Sequence, residues 1–213
     1  MIARHWGSCI TQKEVAVASK HDDKIIAAAA QVFTRYGFKR TTMGEIAEAV
    51  GMSRAALYLV YPSKADILTA VVTRVFAAML DEIRQGLGRF ATVEQQLIFA
   101  LDVWCVTGFE QVQAAPDARD LYESSYEFAA EVTTRATADF VALVAHILEP
   151  LVRRQSRVAL SSAQIAGILA SAVPGFKSVV TTTEQLRAMI AHLITIVLAS
   201  LDDPKARAVR STG

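Results

Sequence analysis

Thr41 to Leu68 reads TTMGEIAEAVGMSRAALYLVYPSKADIL, and Gly51 breaks it in the middle. On either side lies a helix pattern too short to enclose a core of its own. Thr42-Met43-Gly44-Glu45 has the form of a capping box, in which a threonine hydroxyl and a glutamate three residues later satisfy free N–H groups at a helix start. Ile46, Ala47 and Val50 share one face of that helix. Ser53 is placed to cap a second short helix, from about residue 53 to 60, and Leu57 is its inward residue. Two short helices joined by a three- to four-residue turn containing glycine form a helix-turn-helix. Small Ala47 permits a close crossing, and Gly51 supplies a backbone free to take positive φ. An ordinary αα-corner in a helical protein fits the same spacing.

The flanking sequence supplies the remaining support. Ile25, Ile26, Ala29, Val32, Phe33 and Tyr36 form an apolar stripe on a helix expected from about residue 23 to 36. Asp22 or Asp23 can cap its start, and Gly37 sits where a C-terminal glycine belongs. Pro62 and Ser63 open a long fourth helix expected to reach residue 86. Helical periodicity continues almost to the end, and no strand-like alternation is sustained, so the chain reads as all-α. Its 213 residues are 53% hydrophobic, enough for a substantial core.

Charge is uneven. Residues 1–64 carry nine Lys/Arg against five Asp/Glu, and the remainder carries thirteen against sixteen. A basic N-terminal part fits approach to a polyanion. Cys9 and Cys105 form no CxxC pair or disulfide framework, as expected in a reducing cytosol. The first twenty residues contain no continuous apolar segment of the secretory kind. The longest apolar run, MIAHLITIVLASL, is short for a bilayer span.

Lys24 to Leu68, KIIAAAAQVFTRYGFKRTTMGEIAEAVGMSRAALYLVYPSKADIL, resembles the N-terminal domain of the TetR/AcrR family of bacterial transcriptional regulators. The resemblance rests on an AA…F…G first helix, Thr41-Thr42, IA…VG-x-S, Leu57-Tyr58, an aromatic at Tyr61, and Ser63-Lys64 before Ile67-Leu68. It spans about 45 contiguous residues. Residues 87–213 carry no such motif, as is usual in that family's divergent ligand domains.

The resemblance implies a DNA contact set. Thr42 would meet a phosphate at the start of the second helix, and Gly44 would allow close backbone approach. Ser53 and Arg54 would open the recognition helix, with Arg54 on a guanine edge or on a phosphate. Ala55 and Ala56 would touch thymine methyls, and Tyr58 and Lys64 would hold phosphates. Val60 stands where many members carry histidine, so one phosphate contact is absent. Lys39, Arg40 and Thr41 could supply a substitute.

The implied organisation is an extension at 1–21, a DNA-binding domain at 22–66, a ligand-binding and dimerisation domain at 67–203, and a tail at 204–213. Further helices are expected at about 92–111, from Pro116 onward, at 129–154, from Ser161 or Ser162 to Pro174-Gly175, and from Thr183 to 202. The last is apolar beyond a single stripe and needs two partners. The last two helices are expected to pair with their copies in a second chain through Ile165, Leu169, Leu186, Ile190, Leu193 and Val197.

Trp104, Phe109, Tyr122, Tyr126, Phe140, His146 and Phe176 are candidate lining for an effector pocket, with core packing as the competing reading for each. Few charges fall at inward positions of the central helices, which favours a mainly apolar ligand over a dianion. His146-x-x-Glu149 offers two metal ligands, too few for a site, and neither metal nor cofactor is expected. No catalytic constellation occurs, so an enzyme is not expected. The expected protein is a cytoplasmic homodimeric repressor without a membrane partner, released from an inverted-repeat operator in double-stranded DNA by a small molecule. A membrane-associated or scaffolding helical module leaves Thr42, Tyr58 and Lys64 unexplained together.

Overall fold

The computed structural model describes residues 20–114, 116–155 and 159–201. Nearly all of the expected N-terminal extension, and the tail from 204, lie outside them. Every regular element among the described residues is helical. They are α1 (Lys20–Tyr36), α2 (Met43–Val50), α3 (Arg54–Val60), α4 (Lys64–Gly86), α5 (Val93–Leu101), α6 (Thr107–Ala114), α7 (Pro116–Phe128), α8 (Ala130–Gln155), α9 (Ser162–Val179) and α10 (Thr183–Leu201). A 3-10 turn, Leu87–Arg89, precedes α5, and a π-helical turn, Asp102–Val106, joins α5 to α6.

Two boundaries differ from expectation. α1 begins three residues early, so Asp22 and Asp23 lie in its first turn, where carboxylates favour the positive end of the helix dipole. α9 continues through Pro174 to Val179. Proline removes one N–H from the ladder, but later donors still find partners, as when Val180 N–H donates to the Phe176 carbonyl at 3.1 Å.

The chain divides into two compact units. The first comprises residues up to Met79 together with Glu110–Ala136, so it extends past residue 66 and takes in a later segment. Its core joins Ile25, Ala29 and Phe33 of α1, Ile46 and Ala47 of α2, Leu57 of α3, and Ile67, Leu68 and Val71 of α4. Leu121 and Ala129 enter the same core. Phe38 lies between Phe33 and Phe128, with ring centroids 5.6 and 5.2 Å away. Burial of the larger of these side chains contributes roughly 1.5–3 kcal/mol each, which is what holds helices too short to stand alone.

The second unit comprises Leu80–Phe109 and the chain from Thr137 onward. Phe140, Val144 and Leu148 of α8, Leu97 and Leu101 of α5, and Leu169 of α9 are fully buried. Trp104 stacks on Phe140 with centroids 4.5 Å apart and planes 3° from parallel. Gly86 ends α4 against the Phe99 ring, where a Cβ would lie 2.4 Å from two ring carbons, so no larger residue fits unless that ring moves. Arg187 of α10 donates to Asp102 at 2.7 Å.

α10 has the length and composition to cross a bilayer, although its continuous apolar run is shorter. Leu186, Ile190, Ile194 and Leu201 turn one side of it into the protein, while most of its surface stays unburied within the chain.

Candidate nucleic-acid interface

The helix-turn-helix forms through its caps. Thr42 N–H donates to Glu45 Oε2 at 2.7 Å, and Glu45 N–H donates back to Thr42 Oγ1 at 3.3 Å, completing the capping box. Gly51 takes φ 76°, and its N–H donates to the carbonyls of Ala47 and Glu48. Met52 N–H donates to Ala47 at 2.9 Å. This reversal needs the left-handed backbone that glycine adopts without Cβ strain. Ser53 then accepts from Ala56 N–H at 3.1 Å and starts α3. Each cap is worth about 1 kcal/mol.

Leu57 alone of α3 is buried. With about 100° of rotation per residue, its neighbours sort into two flanks and a ridge. Arg54 and Tyr58 lie on one flank, Ala56 and Val60 on the other. Ala55 and Leu59 stand farthest from the core. Arg54 Nη2 donates to the Tyr58 hydroxyl at 3.3 Å, and its guanidinium lies 5.5 Å from that ring's centroid. Both side chains are exposed. Leu59 is 89% exposed and is not among the DNA contacts expected from the sequence. The signal was available, because a residue two positions from an inward Leu57 faces nearly the opposite way.

The loop before α2 corrects two expectations. Thr41 is 2% exposed, and its hydroxyl donates to the Gly37 carbonyl at 2.7 Å, so it serves the fold and presents nothing to a phosphate. Lys64 is likewise engaged internally. Its ammonium donates to the carbonyls of Phe38 at 2.6 Å, Thr41 at 2.7 Å and Lys39 at 3.3 Å. It also lies 4.4 Å from the Phe38 ring centroid. All three ammonium hydrogens have partners within the loop. Burial lowers the Lys64 pKa, and the negative charges of Asp120 and Glu45 oppose that shift.

Lys39 and Arg40 remain at the surface. Lys39 N–H donates to Asp120 Oδ2 of α7 at 2.8 Å, and its ammonium lies 3.4 Å from Oδ1. Arg40 Nε donates to the Tyr36 carbonyl at 2.9 Å. Thr42 is exposed and Gly44 half-exposed at the start of α2, while Ser53 and Ala55 are exposed and Ala56 is half-exposed on α3. Tyr61, just after α3, donates its hydroxyl to Asp22 of α1 at 2.5 Å. Burial and that carboxylate both raise its pKa. Arg74 of α4 pairs with the neighbouring Asp23.

The expected pocket residues are dispersed. Tyr126 belongs to the first unit and is 53% exposed, and the Tyr122 side chain lies outside the described residues. In the second unit Phe109 and Phe140 are buried, Trp104 and Phe176 are half-buried, and His146 is exposed. Lys177, next to Phe176, has its pKa lowered by burial, an effect that Cys105 opposes. The Cys105 thiol is pushed up to about 12, chiefly by burial. Among the described residues no three metal-ligating side chains gather.

Four of the six residues expected at a dimer seam face their own chain. Ile165, Leu169, Leu186 and Ile190 are at most 4% exposed. Their apolar stripe fills the core of their own chain, which leaves them no surface for a second copy. Leu193 and Val197 are half-exposed. Ile168, Val179 and Ile196 point outward at 51%, 71% and 66% exposure.

Residues 25–71 match the family model for bacterial regulatory proteins of the tetR family. The transcriptional repressor BepR of Brucella suis is 28% identical over 200 residues, covering 89% of this chain and 95% of BepR. A transcriptional regulator from Cytophaga hutchinsonii superposes with a TM-score of 0.67 at 22% identity, covering 82% of this chain and 95% of that one. Thermus thermophilus FadR, a TetR-family repressor solved with lauroyl-CoA, gives a TM-score of 0.59 at 22% identity, covering 86% and 97%. The matched segment coincides with the capped helix pair and the helices that support it, and marks residues 25–71 as a DNA-binding domain of the tetR type.

Proposed function

We propose that the protein is a cytoplasmic homodimeric repressor that leaves an inverted-repeat operator when a small, mainly apolar molecule binds. The observation that carries this reading is the capped α2–Gly51–α3 turn, which leaves Arg54, Ala55, Tyr58 and Leu59 of one short helix exposed together. A helix of that kind fits a major groove. Lys39, Arg40, Thr42 and Gly44 are assigned to the phosphates beside it, and Ser53 and Ala56 to the ends and flank of the docked helix. Arg54 and Tyr58, sharing one flank, suit a phosphate or the edge of a base.

Dimerisation is assigned to the outward faces of α9 and α10, through Ile168, Val179, Leu193, Ile196 and Val197. An α10 that remains mostly unburied within its own chain supports a second copy as its cover. For the effector, Trp104, Phe109, Phe140 and Phe176 of the second unit supply apolar surface, and His146 of the same unit a hydrogen-bonding group. Lys177, beside Phe176, adds one amine, so an apolar body with a single acidic group suits this region better than a dianion. The FadR complex with lauroyl-CoA supports a ligand that carries a long apolar chain.

The test is selection of duplexes from a randomised DNA library by the full-length protein. An inverted repeat whose affinity falls steeply with salt is expected. A protein that enriches no duplex sequence is not this regulator.

A further inference from the structure

The outermost ridge of α3 is apolar. Leu57 is fully buried, and positions two residues away on either side lie about 160° around the helix from it. Those positions hold Ala55 and Leu59, about 40° apart on the solvent side. Leu59 is 89% exposed. Polar chemistry is displaced to one flank. Arg54 and Tyr58 sit there, held to each other by the 3.3 Å hydrogen bond.

A helix that docks ridge-first places its flanks toward the phosphate walls and its ridge toward the base edges. Among base edges in a major groove, thymine presents an apolar group, its C5-methyl. A leucine and an alanine offer no donor or acceptor with which to read guanine, cytosine or adenine. We infer that Leu59, supported by Ala55, is the specificity-determining residue of this protein, and that it selects A·T pairs by packing on thymine methyls at the centre of each half-site. This rests on the DNA-binding reading above and names what that surface reads. Arg54, set on the flank, then steers and anchors more than it specifies. Val60, 46% exposed on the other flank, widens the same apolar strip.

The probe is the duplex most enriched from the randomised library by the full-length protein. Each thymine is replaced in turn by deoxyuridine, which removes the methyl group and leaves the pairing unchanged. For the wild type, one or two positions per half-site should lose about four-fold in affinity, the effect of losing one buried methyl-sized contact. Leu59→Ala should bind the thymine duplex more weakly and no longer distinguish thymine from uracil at those positions. Because Leu59 is exposed, that variant keeps the fold, which its circular dichroism melt checks. Arg54→Ala should weaken binding while preserving the thymine-uracil difference. If the wild type binds the fully uracil-substituted duplex as tightly as the thymine one, the inference is overturned. The same follows if Leu59→Ala keeps the wild-type methyl dependence. Enrichment of no duplex at all overturns the regulator reading, and this inference with it.

Discussion

Lys64 Nζ donates to the Phe38 carbonyl oxygen at 2.6 Å and lies 4.4 Å from the centroid of the same residue's ring. One cation thus fixes both the backbone and the side chain of the residue that connects α1 to the loop before α2. With Thr41 as a further acceptor at 2.7 Å, Lys64 closes the loop from the far side of the helix-turn-helix.

Lys64→Ala should therefore act first on stability. Removing the ammonium leaves partly buried carbonyls without donors, at a cost of about 1–3 kcal/mol. Urea unfolding should show a lower midpoint with an unchanged m value. The salt slope of DNA binding should fall by clearly less than the roughly 0.9 expected for one lost phosphate contact. Unchanged stability with a full loss of slope would return Lys64 to the phosphate backbone.

Tyr61 and Asp22 tie the end of the recognition helix to the first turn of α1 through a 2.5 Å hydrogen bond. Tyr61→Phe should cost roughly 1–2 kcal/mol. The folded-state pKa of this phenol is raised, so its contribution is fully present below the unfolded value of about 10 and is lost as pH rises beyond it. Between pH 9 and about 11, wild-type stability should decline more steeply than that of Tyr61→Phe. Parallel declines in denaturant titrations across that range would remove the assigned role.

The outward faces of α9 and α10 can be separated from their inward ones by charge. Ile168→Asp combined with Ile196→Asp should give a soluble helical monomer in sedimentation equilibrium, with DNA affinity sharply reduced. Ile190→Asp, at a position 3% exposed in its own chain, should instead unfold the protein, since an unpaired buried charge costs several kcal/mol. A double variant that sediments as a dimer would place the interface elsewhere.

The DNA-binding helices were legible because their signals are local. Thr42 and Glu45 are three residues apart, Ser53 caps a donor three residues on, and Gly51 alone makes the left-handed reversal. Such contacts depend on spacing along one helix turn, which a sequence displays directly. The inward position of Leu57 followed from the same periodicity, and with it the outward position of Leu59.

What the sequence left undecided involves partners far apart in the chain. Lys64 meets carbonyls 23 to 26 residues before it, and Asp120 reaches back 81 residues to Lys39. Thr41 looks like any polar loop residue until the α1 C-terminus folds over it. In α9 and α10 the apolar residues surround more than one side, so periodicity fixes that both are helices but not which stripe turns inward. Packing decides that: Ile165, Leu169, Leu186 and Ile190 fill their own chain's core, and Ile168 and Ile196 are left facing water. Local hydrogen bonding and helical period were set by the sequence alone, whereas the choice among competing apolar faces and the partner of each long side chain came only with the tertiary fold.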